Sequence, residues 1–171
     1  MRTDSLARRV GALLQERQLT LAVAESCTGG LLAARVTDVS GSSAYFIGGV
    51  VAYSNAVKER VLGVPANTLQ RYGAVSREVA IAMARGVRRL LRADLALSTT
   101  GIAGPTGGAP ERPVGLVYIA LASEQGEQCK EFRWTGDRKQ NREQSVHAAL
   151  DWLQEHLLAE LGQRAKETAQ P

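Results

Sequence analysis

The sequence has few of the residues that build disulfides and metal sites. Its two cysteines, Cys27 and Cys129, lie far apart in the chain, so a disulfide framework is not expected. The two histidines, His147 and His156, are nine residues apart on one predicted helix and do not share a face at ligand spacing. Neither has a Cys or His partner at a zinc-motif interval. The sequence therefore predicts no metal site.

Long apolar runs and targeting signals are also missing. No stretch is long and apolar enough to span a membrane, and the first residues lack the pattern of a signal peptide. We therefore expect a cytoplasmic protein with no membrane partner. Aromatic residues make up only 5% of the chain, so the core is expected to consist mainly of Leu, Val and Ala.

Charge of one sign is not concentrated anywhere in the chain. The formal net charge is +4, but acidic residues accompany most of the basic ones. Pairs such as Arg88-Arg89 and Arg138-Lys139 are typical of solvated helix faces. Scattered charge is a weak indicator of nucleic-acid binding, and no nucleic-acid partner is expected.

What the sequence does contain is an alternation of helix and strand patterns. Its 171 residues correspond to one domain, predicted over residues 1–161 with a polar tail over 162–171. Apolar residues at helical spacing predict helices near 3–17, 28–38, 55–62, 66–72 and 77–91, and a last one from about 137. Short apolar runs predict strands near 19–24, 45–53, 94–100, 114–123 and 128–134. Asn55 and Ser76 are the predicted caps of two helices. The pattern predicts an α/β fold, a three-layer α/β/α sandwich with a mixed, mostly parallel sheet.

Three polar loops interrupt this pattern. Their sequences are Glu25-Ser-Cys-Thr-Gly-Gly30, Tyr53-Ser-Asn-Ala-Val-Lys58, and a glycine-rich stretch that begins at Thr99. Ligands gather at the carboxyl ends of strands in such sheets, and the first and third loops both follow a strand. The free N–H groups of the helix after the first loop would favour an anion. We therefore expect the three loops to form one site.

Ser26 is the predicted nucleophile of this site. No histidine lies near the three loops in the sequence, so the expected base is a neutral lysine, as in Ser–Lys pairs. Lys58 is the candidate, because it lies in a first helical turn, where the helix dipole disfavours positive charge. Burial would lower its pKa in the same direction. The backbone N–H groups of Thr28 and Gly29 are expected to stabilise an oxyanion, by roughly 3 kcal/mol per donor.

Three more side chains are candidates for contacts with a substrate. Thr100 offers a hydroxyl for proton relay or binding, Tyr53 offers an aromatic ring, and Arg142 offers charge for a phosphate. Structural interpretations stand beside these, since Ser26 can equally be a helix cap and Cys27 is a rival nucleophile. The residues alone predict an α/β domain with an anion site and leave the substrate open.

Taken together, the motifs resemble those of the CinA C-terminal domain family, over about residues 5–160 and in the family's order. They are Ala24-Glu-Ser-Cys-Thr-Gly-Gly30, Tyr53-Ser-Asn55 with Lys58, Gly73-Ala-Val-Ser76, Gly101-Ile-Ala-Gly-Pro105 with Gly107-Gly108, and Pro113-Val-Gly115. Stand-alone members of this family are nicotinamide-nucleotide amidohydrolases (nicotinamide mononucleotide deamidases). The resemblance implies hydrolysis of the carboxamide of nicotinamide mononucleotide to nicotinate mononucleotide and ammonia. It also implies that no cofactor is needed, and it suggests a homo-oligomer.

The resemblance assigns the same catalytic residues. The family's serine nucleophile corresponds to Ser26, its lysine base to Lys58, and its tyrosine and hydroxyl residue to Tyr53 and Thr100. An arginine of the family corresponds to Arg142, with Arg138 as an alternative. The expected substrate contacts are this arginine and the glycines of the third loop, Gly101, Gly104, Gly107 and Gly108. The phosphate is expected in the loop from Gly104 to Gly108 or against Arg142. A non-catalytic nucleotide-binding domain with the same loops, and a Cys27 nucleophile, are the alternatives that remain at this stage.

Overall fold

The computed structural model describes residues 2–168, with side chains from residue 5 to residue 159. Over that range the α-helices are α1 (Arg2–Glu16), α2 (Leu31–Thr37), α3 (Asn55–Arg60), α4 (Ala66–Tyr72), α5 (Arg77–Leu91) and α6 (Arg138–Thr168). The strands are β1 (Leu21–Glu25), β2 (Phe46–Val51), β3 (Leu95–Gly101), β4 (Leu116–Ser123) and β5 (Gly126–Arg133). A short 3₁₀ helix, Ser42–Ala44, precedes β2.

The strands form one sheet in the order β2-β1-β3-β4-β5. β1 lies between β2 and β3 and pairs in parallel with both, whereas β4 is antiparallel to β3 and to β5. Within the described sheet, β4 therefore runs against the direction of the other strands. The predicted α/β fold with a mixed, mostly parallel sheet is confirmed.

The alternation of side chains along β1 explains why helices cover both faces of the sheet. Leu21 and Val23 point into one core with α1, α2 and α6, while Ala22 and Ala24 point into a second core with α5. Successive residues of a strand face opposite sides, so a strand whose first four residues are all apolar requires a layer on each face. The alanines leave room for α5 to pack close to the sheet. The predicted three-layer α/β/α sandwich is confirmed.

Several predicted boundaries are correct and others change for local reasons. Ser76 caps α5 as predicted, with its hydroxyl accepting from the Val79 N–H at 3.3 Å. The predicted cap of α3 was wrong by one residue, because Ser54 has the extended backbone of a cap and accepts from the Val57 N–H. α2 begins at Leu31, later than expected, because Gly29 and Gly30 both have positive φ and form a turn first.

The last helix extends beyond its predicted end. α6 continues to Thr168, so it includes most of the segment predicted as a polar tail over 162–171. The last three residues of that segment, 169–171, lie outside the described residues.

Gly86 of α5 is expected to be essential for the packing that places α3. A methyl group at Gly86 would overlap the carbonyl oxygen of Leu62, just after the helix that carries Lys58. Gly86→Ala gains about 1 kcal/mol of helix propensity, but the overlap with backbone is expected to lower the free energy of unfolding by about 1–3 kcal/mol. Urea unfolding measures this. Arg89→Ala, at an exposed position of the same helix, should change stability by less than about 0.5 kcal/mol, and equal effects of the two changes would contradict the packing argument.

Candidate active site

The three predicted loops meet at one end of the sheet, where β1, β2 and β3 have their carboxyl ends. The Ser26 N–H donates to the Thr99 carbonyl oxygen at 2.9 Å, so the first loop starts beside the third. A cavity of about 360 Å³ opens here, within the size range of small-ligand sites. Its wall includes Ser26, Cys27, Tyr53, Lys58, Ala74, Val75, Arg138 and most of the segment from Thr100 to Gly107. The three loops therefore lie together around one cavity, and their joint site stays a prediction.

The amine of Lys58 lies against the hydroxyl of Ser26. The distance from Lys58 Nζ to Ser26 Oγ is 3.1 Å. The same nitrogen lies 2.9 Å from the Ala52 carbonyl oxygen and 3.5 Å from that of Tyr53. Lys58 is only 1% exposed, so the whole side chain is removed from water. A base and a potential nucleophile are thus in hydrogen-bond contact at the wall of the cavity.

Burial favours the neutral form of this amine. It lowers the pKa of Lys58, because the charged form loses its hydration and gains no counter-charge in return. No carboxylate among the described residues forms an ion pair with it. A neutral amine has two N–H donors and one lone pair. The two carbonyl oxygens can accept the donors, and the lone pair is then free to receive the Ser26 proton.

The hydrogen bonds of the turn after Ser26 show that one of the two predicted oxyanion donors was wrong. The Gly29 N–H donates to the Ser26 carbonyl oxygen at 3.1 Å, so it is not available to a substrate. Within the described part of the chain, the Thr28 N–H has no hydrogen-bond partner, and the Cys27 N–H contacts only the sulfur of its own side chain. The donors next to Ser26 are therefore those of Cys27 and Thr28, and of the two predicted oxyanion donors only Thr28 stays a candidate.

Glu25 is a residue of this region that the sequence reasoning missed. Its carboxylate is 1% exposed and accepts the N–H groups of Gly30, Leu32 and Ala33 at 3.0, 3.0 and 2.8 Å. The anion site expected at the start of α2 is thus filled by the chain's own carboxylate. The available signal was an acidic residue at the end of an apolar strand, five positions before a glycine at the start of a helix.

The two candidate arginines have different positions. Arg142 donates through Nε and Nη2 to the Thr28 carbonyl oxygen, at 3.2 and 2.6 Å, and does not line the cavity. Arg138 does line it, and donates to Gly104 O at 2.9 Å and to Tyr53 Oη at 3.1 Å. The structure therefore favours the alternative, Arg138, over Arg142 as the cationic side chain of the cavity.

Most of the remaining predicted residues line the cavity, and one of them does not. Thr100 lines the wall, and its hydroxyl donates to the Ala74 carbonyl oxygen at 2.7 Å. Tyr53 is 61% exposed, and its ring lies at the cavity. Three of the four loop glycines also line it, namely Gly101, Gly104 and Gly107. Gly108 lies instead against the backbone of Val114, so it has no part in the wall.

Asn141 of α6 holds the glycine-rich loop in place. Its amide nitrogen donates to the Ala103 carbonyl oxygen at 3.0 Å, and its amide oxygen accepts the Gly136 N–H at 3.0 Å. The side chain is 1% exposed, which makes both bonds costly to lose. The start of α6 therefore fixes the loop that carries one wall of the cavity.

Cys27 is adjacent to Ser26 but differs from it chemically. Burial raises the pKa of the Cys27 thiol to about 12, because the thiolate would be desolvated. Since the thiolate is the reactive form of cysteine, this thiol is a poor nucleophile near neutral pH. The geometry favours Ser26, the neighbour that touches the lysine.

The described residues, 2–168, contain neither a cluster of metal ligands nor a membrane-spanning helix. No group of three or more His, Cys, Asp or Glu lies close enough together there to hold a metal ion. None of the helices in that range has the length and apolar character to cross a membrane.

Comparison with known proteins identifies related sequences over nearly the whole chain. The family model described as the CinA C-terminal domain matches residues 3–157. A CinA-like protein from Geobacter sulfurreducens is 56% identical over 155 residues, which are 91% of this chain and 38% of that protein. A putative competence-damage inducible protein from a Thermoanaerobacter species is 57% identical over the same length, again with 91% and 38% coverage. The chain thus spans 38% of the length of these curated relatives.

Solved structures share the fold. The competence/damage inducible protein CihA from Agrobacterium tumefaciens superposes with a TM-score of 0.87 at 42% identity, covering 90% of this chain and 94% of that one. A CinA superfamily protein from Klebsiella pneumoniae gives a TM-score of 0.90 at 36% identity, covering 93% and 99%. The architecture described above is therefore that of these proteins.

The pH dependence of stability tests the charge state of Lys58. Because the folded pKa lies below the ordinary value of 10.5, the unfolded chain binds more protons between those two values. The free energy of unfolding should then rise with pH in that window, by at most about 1.4 kcal/mol per pH unit for one proton. Urea unfolding from pH 7 to 10 should show this contribution as a steeper rise, or a shallower fall, in the wild type than in Lys58→Met. The raised pKa values of the buried thiols Cys27 and Cys129 add a slope of opposite sign above about pH 9 in both proteins. Lys139→Met, at an exposed lysine, should keep the wild-type slope, and a slope unchanged in Lys58→Met would show that Lys58 is charged when folded.

Proposed function

The chain belongs to the CinA C-terminal domain family, and we propose that it hydrolyses the carboxamide of nicotinamide mononucleotide to nicotinate mononucleotide and ammonia. The observation that carries the proposal is the buried Lys58 amine, 3.1 Å from Ser26 Oγ at the wall of a cavity. The resemblance of the surrounding motifs to those of nicotinamide-nucleotide amidohydrolases supports the choice of substrate. An uncharged amine beside a hydroxyl is the arrangement that Ser–Lys hydrolases use.

The proposed reaction uses the pair of Ser26 and Lys58 twice. Ser26 Oγ attacks the amide carbon while neutral Lys58 takes the hydroxyl proton. The resulting oxyanion accepts hydrogen bonds from the N–H groups of Cys27 and Thr28. The C–N bond then breaks, the Lys58 ammonium returns the proton to the leaving nitrogen, and ammonia departs. Water attacks the remaining ester with Lys58 again as the base, and nicotinate mononucleotide is released as the proton returns to Ser26.

The charges around the cavity match those of the proposed substrate. No carboxylate is among the residues that line it, and its basic side chains are Lys58 and Arg138. A pyridinium ring bound near Lys58 would keep the amine deprotonated through like-charge repulsion. Arg138 lies at the rim, where a guanidinium can hold a phosphate through two parallel hydrogen bonds. We therefore assign the phosphate to Arg138 and the Gly104–Gly107 part of the loop. No cofactor enters this scheme, and a homo-oligomer and a cytoplasmic location remain expectations.

Ammonia release from purified protein tests the proposal. The wild type should release ammonia from nicotinamide mononucleotide and not from plain nicotinamide. Ser26→Ala and Lys58→Met should each lower kcat by at least about 1,000-fold, while Ser26→Ala retains substrate binding in calorimetry. Cys27→Ala is the matched control, since it changes the adjacent residue and should keep most of the activity.

Two other outcomes would replace the proposal. Nucleotide binding without ammonia from the wild type would indicate a binding domain of the same fold. Loss of turnover in Cys27→Ala with activity retained in Ser26→Ala would make the thiol the nucleophile.

Arg138→Met tests the phosphate assignment. Losing the guanidinium should raise KM for nicotinamide mononucleotide by about 10- to 100-fold with a smaller change in kcat. Nicotinamide riboside, which lacks the phosphate, should be turned over equally by both proteins. Lys139→Met, which removes the neighbouring exposed charge, should behave as the wild type. If Arg138→Met impairs turnover of the riboside as much as that of the nucleotide, Arg138 does not bind the phosphate.

A further inference from the structure

Glu25 is a buried carboxylate next to the nucleophile that the proposed reaction does not use. It ends β1, immediately before Ser26, and it is absent from the residues that line the cavity. At 1% exposure, a carboxylate is costly to bury unless it is paired or fully hydrogen-bonded. No lysine or arginine within the described residues forms an ion pair with it.

Backbone N–H groups provide the compensation. Oε2 of Glu25 accepts from Gly30 and Leu32, and Oε1 accepts from Ala33. These donors lie at the start of α2, where the helix dipole also favours a negative charge. Charge-assisted bonds of this kind are about twice as strong as neutral ones. One side chain therefore ties the end of β1 to the first turn of α2.

The four residues between those two anchors form the turn that carries the chemistry. This turn, residues 26–29, is closed by the bond from Gly29 N–H to Ser26 O. From the opposite side, Arg142 holds the Thr28 carbonyl oxygen with two donors. With Glu25 on one side and Arg142 on the other, the turn has little freedom to move Ser26 relative to Lys58.

We propose that Glu25 is a positioning residue, which holds the 26–29 turn so that Ser26 Oγ faces Lys58 and the N–H groups of Cys27 and Thr28 stay accessible to a substrate. The carboxylate also accepts the three N–H donors at the start of α2. A substrate phosphate therefore cannot bind there, and the place left for it is near Arg138 at the rim of the cavity. The kinetic part of this inference rests on the proposed function. The structural part does not.

The requirement is for a carboxylate in particular. Ser and Asn, the usual capping residues, satisfy one or two N–H groups, whereas here three donors converge on two oxygens. Glutamine has the same shape but only one acceptor oxygen, and its NH₂ group would face an N–H donor. Glu25→Gln therefore keeps the packing and disturbs the turn, which makes it the sharpest single change.

Kinetics of Glu25→Gln give the first test. A displaced nucleophile should lower kcat by about 100-fold, while KM stays within about threefold because Glu25 does not line the cavity. Glu25→Asp, which keeps the charge on a shorter chain, should show a smaller loss in the same direction. Glu78→Gln is the matched control, because Glu78 also lies in the first turn of a helix but has no part in the site. A folded Glu25→Gln protein with wild-type kcat would overturn the proposal.

Chemical rescue separates positioning from general stabilisation. Glu25→Ala leaves three N–H donors unpaired around a space the size of a small carboxylate. Formate should restore part of kcat, whereas formamide, of similar shape but uncharged, should not. If formate raises the melting temperature of this variant without restoring kcat, Glu25 acts on stability alone and the positioning role is wrong.

Alkylation of Cys27 provides a measurement that does not depend on activity. Cys27 lies in the same turn and is 7% exposed, so iodoacetamide should label it slowly in the wild type. Glu25→Gln should speed labelling of the peptide that carries Cys27 by at least about tenfold through opening of the turn, and Glu78→Gln should not. If the wild type releases no ammonia, the proposed function fails while labelling still decides the role of Glu25. Unchanged labelling in Glu25→Gln would then refute it.

Discussion

The burial of an unpaired lysine amine is the constraint on which the rest of the site depends. An ammonium group inside a protein requires a counter-charge, and none of the described residues provides one for Lys58. The fold instead offers hydrogen-bond partners, namely two carbonyl oxygens just after β2 and the hydroxyl of Ser26. These partners suit a neutral amine, and the short helix α3 carries Lys58 to them. The chemical reactivity and the local cost in stability therefore have the same origin.

The charged side chains near this amine form hydrogen bonds with backbone groups and do not form ion pairs with each other. The Glu25 carboxylate is bound by three N–H groups, and the Arg142 guanidinium is bound to the Thr28 carbonyl oxygen. Both side chains thereby strengthen the turn that carries Ser26 while staying out of the cavity wall. Had Glu25 faced Lys58, it would have favoured the charged amine and removed the base.

Much of this arrangement can be predicted from the sequence, and the remainder depends on geometry that no sequence pattern encodes. The buried strand β1 follows from its apolar run, the Ser76 cap from its residue type, and the meeting of the loops from the position of strand ends. Lys58 is predicted as the partner of Ser26 because no histidine lies near these loops in the sequence. The partners of Glu25 could not be predicted, because they depend on how two glycines with positive φ return the chain toward the strand. Arg138 and Arg142 lie about one turn apart on α6, so which of them reaches the cavity depends on where that helix crosses the sheet.

The neighbouring serine and cysteine show why position matters more than intrinsic reactivity. A thiol is ordinarily the easier group to deprotonate, and in another setting Cys27 would be the nucleophile. Here burial raises its pKa to about 12, whereas Ser26 Oγ lies 3.1 Å from the amine. A hydroxyl needs no stable anion, because the base takes the proton during the attack itself. In the proposed reaction, a base of lowered pKa matches a serine whose proton moves only in the transition state. The fold supplies the geometry for that match, because it places the Ser26 hydroxyl, and not the Cys27 thiol, in hydrogen-bond contact with Lys58.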